Sequence, residues 1–371
     1  MEVIGIIGEY NPFHLGHKYY IDKIKEKYPN SILIAVISSS FTQRGDISII
    51  NKWDKTNILL NNNIDLVLEL PFVYSTQSAD IFSKGALKIL NELKIEKLIF
   101  GSESNDLNLL KEIANLQISN KEFDKKVKKY LDKGNNYPTS LSLAIKEMGL
   151  KKIDNPNDLL GISYIKEIIK NNYNITPETI KRTTNYHGNN KGIIKSATEL
   201  RDLLNNNKSI KKYINYNDNI IYKNLNSFNL LKYKIITEDI SKYMTVDEGI
   251  ENRIKKYILE VSSKEDLIKK IKTKRYTYNK INRMLTHILC SLTKEEAKEN
   301  INYIKVLGFN DKGKKYLSRI KKETRIPIIT NYKSINSKLL DIEYRALKVY
   351  SIITNDNSLI KRELEKPIYK K

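Results

Sequence analysis

The length, composition and charge of the chain exclude several classes of protein. Its 371 residues are 40% hydrophobic with a mean hydropathy of −0.49. No apolar run approaches the roughly 20 residues that cross a bilayer, so we expect no membrane association. The single cysteine, Cys290, excludes an internal disulfide framework and a cysteine-based zinc site. No basic segment of the kind that opens a signal peptide precedes the first apolar run. We therefore expect a cytoplasmic protein with two or three domains.

The net charge of +22 is unevenly distributed along the chain. Residues 1–150 hold 19 basic and 18 acidic residues, whereas residues 151–371 hold 46 and 25. A genome rich in lysine codons would raise the lysine content everywhere, and it does not explain an excess confined to one part. We therefore expect a balanced catalytic part followed by a region that binds a polyanion, with nucleic acid the favoured partner.

The first hundred residues alternate between strand and helix patterns. Apolar runs predict four buried strands, at residues 3–7, 31–37, 65–70 and 97–100. Helical spacing predicts intervening helices from about residue 15, over 53–60 and over 78–93. Strands separated by helices indicate a parallel sheet, in which ligands bind beyond the carboxyl ends of the strands.

Beyond this sheet the pattern becomes mostly helical. Asn155 and Pro156 mark one helix start, and Ser196 with Glu199 forms a capping box at another. An edge strand is predicted over residues 175–182, and a short strand over 302–307, ended by Gly308. We predict an α/β catalytic domain over residues 1–205 and a mainly helical, basic region over 206–371.

Two histidines stand at the first turn of the first predicted helix, directly after a strand. His14 and His17 flank Gly16, which leaves room for a nucleotide beside the backbone. A helix start favours anions, and two imidazoles there can bind phosphate oxygens in a transition state. Zinc ligation is the first alternative, although no second cluster completes a tetrahedral site. Ordinary surface histidines are the second, although the chain has only four histidines.

Residues 8–17, GEYNPFHLGH, resemble the nucleotide-binding HxGH signature of the nucleotidylyltransferase superfamily, which class I aminoacyl-tRNA synthetases share. Further blocks follow in order: FTQRGD at 41–46, KWDK at 52–55, DLVLELP at 65–71, QSA at 77–79, FGSE at 100–103, PNDLLG at 156–161, Lys181-Arg182 and Tyr186-His187. Together they resemble the bacterial tRNA(Met) cytidine acetate ligase family over most of the chain. One departure is Ser38-Ser39-Ser40, where the family pattern has a Gly-Asn pair before the Phe.

This resemblance implies a Rossmann-like nucleotidyltransferase domain with a parallel sheet and an enzyme that consumes ATP. Acetate and ATP would form acetyl-adenylate and pyrophosphate. The acetyl group would pass to N4 of the wobble cytidine, position 34, of elongator tRNA(Met), giving N4-acetylcytidine. Acetyl-CoA would not be needed, and Mg²⁺ would accompany ATP, held mainly by its phosphates. No stable protein partner is indicated.

The site residues implied by the resemblance begin with His14 and His17 as the catalytic pair. The implied ATP contacts are Ile7, Gly8, Glu9, Tyr10, Asn11, Pro12, Phe13, His14, Leu15, Gly16, His17, Lys18, Tyr19, Tyr20, Gly101, Asn157 and Arg182. Three of these have simpler alternatives. Gly101 suits an ordinary strand-end turn, Asn157 a helix start and Arg182 a surface position.

Several other side chains are candidates from their chemistry. A run of basic residues with interleaved tyrosines, residues 269–283, suits phosphate contacts and base stacking, although a solvated helix face is the alternative. The RNA-binding candidates are Lys272, Lys274, Arg275, Tyr276 and Arg283.

Further candidates lie near the strand ends. Arg44, Lys52 and Lys55 are expected to face either the active site or the anticodon loop of a tRNA. Glu69 and Glu103 are expected either to orient a metal-bound water or the attacking amine, or to be solvated or cap a helix. His187 suits base stacking or packing beside Tyr186. His287 and Cys290 share an apolar helix face and are expected in the core.

Two other function classes remain open from the sequence. A small-molecule adenylyltransferase would share the HxGH motif, but it needs much less chain and leaves the basic region without a role. A non-catalytic RNA-binding protein would not need His14, Gly16 and His17 intact. No clear KMSKS-like loop is present, which argues against an aminoacyl-tRNA synthetase.

Overall fold

A computed structural model describes residues 2–182 and 194–371 of the chain. Its centre is a mixed, mostly parallel sheet in the order β5-β4-β1-β2-β3-β6-β7, with β8 paired to β6. The strands are β1 (Val3–Gly8), β2 (Ile32–Ser38), β3 (Leu66–Leu70), β4 (Lys97–Ser102), β5 (Thr176–Lys181), β6 (Ile304–Asn310), β7 (Ile328–Ile329) and β8 (Ile368–Lys370). The four predicted N-terminal strands and the edge strand β5 are confirmed.

Helices surround this sheet. Those before residue 206 are α1 (Leu15–Lys27), α2 (Lys52–Asn61), α3 (Phe72–Ser75), α4 (Ala79–Glu92), α5 (Leu107–Ser119), α6 (Lys121–Asp132), α7 (Tyr137–Glu147), α8 (Pro156–Lys170) and α9 (Ala197–Asn205). Those after it are α10 (Phe228–Thr237), α11 (Ile250–Tyr257), α12 (Lys264–Ile271), α13 (Tyr278–Leu289), α14 (Asp311–Ile320), α15 (Lys338–Thr354) and α16 (Ser358–Arg362). The predicted helix starts at Pro156 and after Ser196 are confirmed.

The two faces of the sheet build two separate cores, as the strand period of two requires. Ile34 and Val36 of β2 point to the face covered by α4, α5, α8 and α15. Leu33 and Ala35 point to the opposite face, covered by α1, α2 and Leu200 of α9. Both faces of the central strands are therefore buried, which explains their continuous apolar sequence.

The C-terminal part of the chain is not separate from the sheet. Strand β6 pairs antiparallel with β3, and both β7 and β8 pair with β6. The boundary predicted at residue 205 therefore does not coincide with a division of the sheet. Gly308 lies inside β6 rather than ending it. A Cβ there would approach Thr56 Cγ2 to 2.6 Å and the Ile368 carbonyl oxygen to 3.0 Å, so the glycine permits close packing of α2 and β8.

Helices α10 to α13 form a third core of their own, which we call the helical module, residues 228–289. Its interior is built from aliphatic and aromatic side chains that include Phe228, Ile254, Leu267 and Leu285. The module lies in the strongly basic part of the chain. The predicted helical, basic region thus corresponds to this module together with elements that complete the sheet.

A buried cluster of four charges ties the C-terminal segment to the sheet. Lys52 Nζ lies 2.6 Å from Glu69 Oε1 and 2.7 Å from Glu363 Oε2, and Lys305 contacts the same two carboxylates. The four side chains are at most 4% exposed. Burial alone would lower the pKa of the Lys52 ammonium, but Glu363 and Glu69 raise it above its ordinary value. Removing one partner would leave an uncompensated charge in the interior.

Candidate functional site

A cavity of about 300 Å³ lies at the carboxyl ends of β1, β4 and β5. Most of the predicted nucleotide contacts line it: Ile7, Gly8, Glu9, Tyr10, Asn11, His14, Gly16, His17, Tyr19, Tyr20, Gly101, Asn157 and Arg182. The four others do not. Phe13 is fully buried in the core, Pro12 is buried, Leu15 lies outside the lining, and Lys18 pairs with Asp22 at 2.6 Å.

The two histidines are fixed by the backbone of the helix they open. His14 is the N-cap of α1, and its Nδ1 accepts the Gly16 N–H at 3.0 Å. The His14 N–H in turn donates to His17 Nδ1 at 3.2 Å, which completes a reciprocal capping box. The two rings stack with centroids 3.8 Å apart. The same contacts that begin the helix therefore aim both imidazoles.

These contacts assign the protonation state of both rings. Each Nδ1 already accepts a backbone N–H, so the neutral tautomer carries its proton on Nε2. Burial, followed by the charge of Arg182, lowers the pKa of His14 to about 3. Burial and the His14 ring lower the pKa of His17 well below its ordinary value. Both histidines are therefore neutral Nε2–H donors at physiological pH.

The cavity wall formed by β4, β5 and α8 contains the other predicted nucleotide contacts. Glu103 accepts hydrogen bonds from Asn157 Nδ2 at 2.6 Å and from the Asp158 N–H at 3.1 Å, so it caps α8. The Arg182 side chain lies 3.5 Å from Asn157 Oδ1, and its buried Nε has no partner among the described residues. Helix α8 thus points its N-terminus, with Asn157 and a guanidinium, at the cavity.

A third helix N-terminus, which sequence reasoning did not assign to the site, also reaches the cavity. Ser196, Ala197 and Thr198 at the start of α9 line it, together with Arg201. The Arg201 guanidinium donates to the Asn11 carbonyl at 2.6 Å and to Thr198 Oγ1 at 3.3 Å. The capping box at Ser196 was the available signal. A capping box is a local pattern, so it did not show that this helix start lies beside the cavity.

A loop that lines the cavity, residues 42–46, is held by the helical module. Asn282 Nδ2 donates to the Arg44 carbonyl at 3.0 Å and to Asp46 Oδ1 at 2.7 Å, and Thr286 Oγ1 donates to the Gly45 carbonyl at 2.7 Å. Gly45 has φ +88°, and a Cβ there would lie 2.7 Å from the Arg283 nitrogen. Helix α13 therefore packs directly against a wall of the cavity.

The RNA-binding candidates divide into two groups in the structure. Lys272, Lys274 and Arg275, which we call the basic patch, are exposed between α12 and α13. The prediction for Tyr276 is wrong. Its ring is 5% exposed within the helical module, and its hydroxyl donates to the Asp247 carbonyl at 2.9 Å, so no base can stack on it.

Arg283 lies half-buried on α13, the helix that holds the loop 42–46, and does not itself line the cavity. Burial and the charge of Arg44 lower its pKa to about 10. It forms no hydrogen bond or ion pair with any residue in the described ranges.

Three other candidates lie in the interior. Lys52 and Glu69 belong to the buried charge cluster, and Lys55 Nζ donates to the Ser38 and Ser39 carbonyls at 3.0 and 3.1 Å. Burial lowers the pKa of Lys55 to about 7. These side chains support the strand ends rather than facing a ligand.

His287 and Cys290 are buried, as expected, and His287 Nε2–H donates to the Thr76 carbonyl at 2.8 Å. His187 and Tyr186 lie outside the described residues. Within residues 2–182 and 194–371, no group of three or more His, Cys, Asp or Glu side chains is arranged to hold a metal ion. None of the helices in those ranges has the length and apolar character of a membrane span.

Comparison with known proteins places this site in a family. The family model described as HIGH Nucleotidyl Transferase matches residues 1–365. A protein of Caldicellulosiruptor saccharolyticus named tRNA(Met) cytidine acetate ligase is 38% identical, with 95% of this chain and 94% of that protein covered. Proteins of the same name from Fusobacterium nucleatum (86% and 85% covered) and Bacillus subtilis (95% and 92%) are 39% and 32% identical. The chain belongs to the tRNA(Met) cytidine acetate ligase family.

Solved structures agree with this membership. The crystal structure of Thermotoga maritima TmcAL bound with alpha-thio ATP is 28% identical and matches with a TM-score of 0.88, covering 100% of this chain and 99% of that one. The apo form of the same protein matches with a TM-score of 0.89 and the same coverage. This chain and the Thermotoga protein therefore share the architecture over their whole length, and not only in the nucleotide-binding domain.

Proposed function

We propose that this acetate ligase family member activates acetate with ATP and transfers the acetyl group to N4 of the wobble cytidine, position 34, of elongator tRNA(Met). One observation carries the proposal. His14 and His17 present two neutral Nε2–H donors in a cavity at the strand ends. The names of the relatives and the ATP-analogue complex of the Thermotoga protein support the choice of substrates.

Three helix N-termini around the cavity favour a triphosphate. Helices α1, α8 and α9 begin there, and each directs the positive end of its dipole toward the cavity. In our proposal the α-phosphate lies against His14, Gly16 and His17, and the leaving pyrophosphate extends toward Ser196 and Arg201. The donors are fixed before the reaction, so they stabilise the charge on pyrophosphate as it departs.

The nucleoside end of ATP is assigned to the opposite wall. Gly101 in β4 leaves space beside the backbone, and Asn157 and Arg182 face the same part of the cavity. The Arg182 Nε is buried and has no partner within residues 2–182 and 194–371, which supports an anionic or acceptor-rich ligand there, because an unpaired buried guanidinium nitrogen is costly. The Tyr20 hydroxyl is not available as a donor to ATP, because it donates to the Ile99 carbonyl at 2.5 Å.

Among the described residues, the side chains that line the cavity do not fit a metal ion held by the protein. The carboxylates of this lining are Glu9, which accepts a hydrogen bond from the Gln43 N–H, and Asp46, which accepts one from the Asn282 amide. We therefore propose that Mg²⁺ enters with the triphosphate, whose oxygens are its preferred ligands. Acetyl-CoA has no role in the proposal, because the acyl phosphate of acetyl-adenylate already activates the acetyl group.

The tRNA is proposed to approach along α13. The basic patch lies at the start of this helix, and Arg283 lies farther along it, beside Arg44 of the cavity loop. A phosphate near Arg44 and Arg283 would relieve the repulsion between their charges. We propose that backbone phosphates contact the basic patch and Arg283 while the wobble base enters the cavity.

Pyrophosphate exchange tests the first half of this proposal. The purified protein should incorporate labelled pyrophosphate into ATP only when acetate is present, because exchange requires reversible acetyl-adenylate formation. Exchange driven by pantetheine phosphate and not by acetate would instead identify a small-molecule adenylyltransferase. Propionate and glycine at equal concentration serve as matched controls for carboxylate selectivity.

A further inference from the structure

The transfer step of the proposed reaction needs a proton acceptor. The N4 lone pair of cytosine is conjugated with the ring, so the amine is a weak nucleophile until a proton leaves it. Among the described residues, the carboxylates that line the cavity are Glu9 and Asp46. His14 and His17 are unsuited to this role, because each Nδ1 is occupied by a backbone N–H and each Nε2 carries a proton.

Asp46 is not suited to accept this proton, because its carboxylate is already hydrogen-bonded to the helical module. Its Oδ1 accepts the Asn282 amide at 2.7 Å, and its backbone closes a turn with Thr42 at 2.9 and 3.0 Å. Its contacts are those of a residue that fixes the loop 42–46. Lys55 is also excluded, because it is fully buried, lies outside the cavity lining and donates to two backbone carbonyls.

Glu9 has the opposite arrangement. It follows the last residue of β1 and faces the cavity, and its Oε1 accepts the Gln43 N–H in a short hydrogen bond. Oε2 accepts no hydrogen bond from any residue within 2–182 or 194–371. The carboxylate is thus oriented by one oxygen and leaves the other available to a ligand in the cavity.

The surroundings of Glu9 strengthen its carboxylate as a proton acceptor. Burial raises the pKa of its carboxyl above the ordinary value, while the Gln43 N–H, Arg44 and Lys55 lower it and Asp46 raises it. Tyr164 of α8 also faces it. A carboxylate whose pKa is raised binds a proton more strongly and is therefore a better general base than an ordinary one.

We propose that Glu9 is the general base of acetyl transfer. This inference rests on the proposed function. N4 attacks the carbonyl carbon of acetyl-adenylate, and the N4–H proton passes to Glu9 Oε2 as the N–C bond forms. The bond between the carbonyl carbon and the phosphate oxygen then breaks and AMP leaves with the electron pair. Glu9 afterwards releases its proton to solvent, so the enzyme returns to its starting state.

The two half-reactions allow a sharp test with Glu9→Gln. The glutamine oxygen can still accept the Gln43 N–H, so the loop and the ATP site should be kept. Single-turnover transfer from synthetic acetyl-adenylate to tRNA(Met) should fall by ~10²-fold or more. Acetate-dependent pyrophosphate exchange, measured in parallel, should fall by a much smaller factor, because the proton is abstracted only in the transfer step.

The pH profile separates catalysis from a structural role. In the unmodified enzyme the transfer rate should rise with pH as Glu9 loses its proton and then level off. This rise should vanish in Glu9→Gln and persist, at a lower rate, in Glu9→Asp. Because Glu9→Asp keeps a carboxylate, it also keeps the test valid if Glu9→Gln does not fold.

Three results would overturn the inference. Glu9→Gln could transfer acetyl at the normal rate, it could lose exchange and transfer equally, or Asp46→Asn could be the variant that removes the pH-dependent rise. Absence of acetate-dependent exchange in the unmodified enzyme is a different result, since it would refute the proposed function instead.

Discussion

Replacing Gly16 by alanine tests whether the geometry of the two histidines drives adenylation. A Cβ at this position would lie 2.8 Å from His14 Cε1, 2.9 Å from His14 Nδ1 and 3.2 Å from Ile194 Cγ2. The His14 ring has little room to move away from this Cβ, because it is 4% exposed and stacked on the His17 ring. It must rotate, which breaks its hydrogen bond with the Gly16 N–H and redirects its Nε2–H.

The expected effects on activity and on stability differ in size. Loss of one fixed donor to a developing negative charge costs ~10²–10³-fold in rate. Loss of the side-chain cap costs about 1 kcal/mol of stability, but alanine regains up to ~1 kcal/mol over glycine through helix propensity. We therefore expect Gly16→Ala to lose about two orders of magnitude in rate while its free energy of unfolding changes by about 1 kcal/mol or less.

The assay is acetate-dependent exchange of labelled pyrophosphate into ATP, with urea denaturation as the stability measurement. Lys23→Ala is the matched control, because Lys23 lies on the exposed side of α1, outside the cavity lining, where it pairs with Glu26 and lies 6.0 Å from the centre of the Tyr19 ring. Exchange at the normal rate in Gly16→Ala would refute the role assigned to the His14 orientation. A large loss of stability would show instead that the substitution unfolds the helix start.

Three further predictions test other parts of the account. Because the pKa of His14 is lowered to about 3, pyrophosphate exchange should show no loss attributable to histidine protonation between pH 8 and 5.5; an inflection near 6.5 that disappears in His14→Asn would contradict this. Lys52→Met should destabilise the protein by ~3–5 kcal/mol in urea denaturation, because two buried carboxylates lose a partner; an unchanged midpoint would argue against the charge cluster. Replacing the basic patch by glutamines should weaken tRNA binding and reduce its log–log salt slope by about 2, with exchange unchanged, whereas Tyr276→Phe should leave tRNA affinity as it was.

The sheet and the histidine motif were accessible from the sequence because their signals are local. Each N-terminal strand is a continuous run of aliphatic residues, and His14 and His17 fall where a helix start requires a cap. The pairing of β6 with β3 was not accessible, since it joins residues more than 200 positions apart. Gly308 resembled a strand end for the same reason, because the residues it accommodates come from α2 and β8.

The side chains that were misplaced share one physical cause. Lys52 lies within a run of polar residues, yet its charge is neutralised in the interior by carboxylates from β3 and the C-terminal segment. Tyr276 lies among exposed cations, yet its ring completes the helical module. Composition reports the average environment of a segment, whereas burial of one side chain depends on which distant elements reach it. The contribution of α9 to the cavity was missed for the same reason. Its capping box identifies a helix start, but it does not show that this start lies beside the cavity.

Mass spectrometry of tRNA(Met) nucleosides tests the central claim most directly. The transcript is incubated with the protein, ATP and acetate, and each reactant is omitted in turn. The account predicts one N4-acetylcytidine at the wobble position, formed only when ATP and acetate are both present and carrying the label of isotopic acetate. An unmodified wobble cytidine in the complete reaction, or acetylation that depends on acetyl-CoA instead, would contradict it.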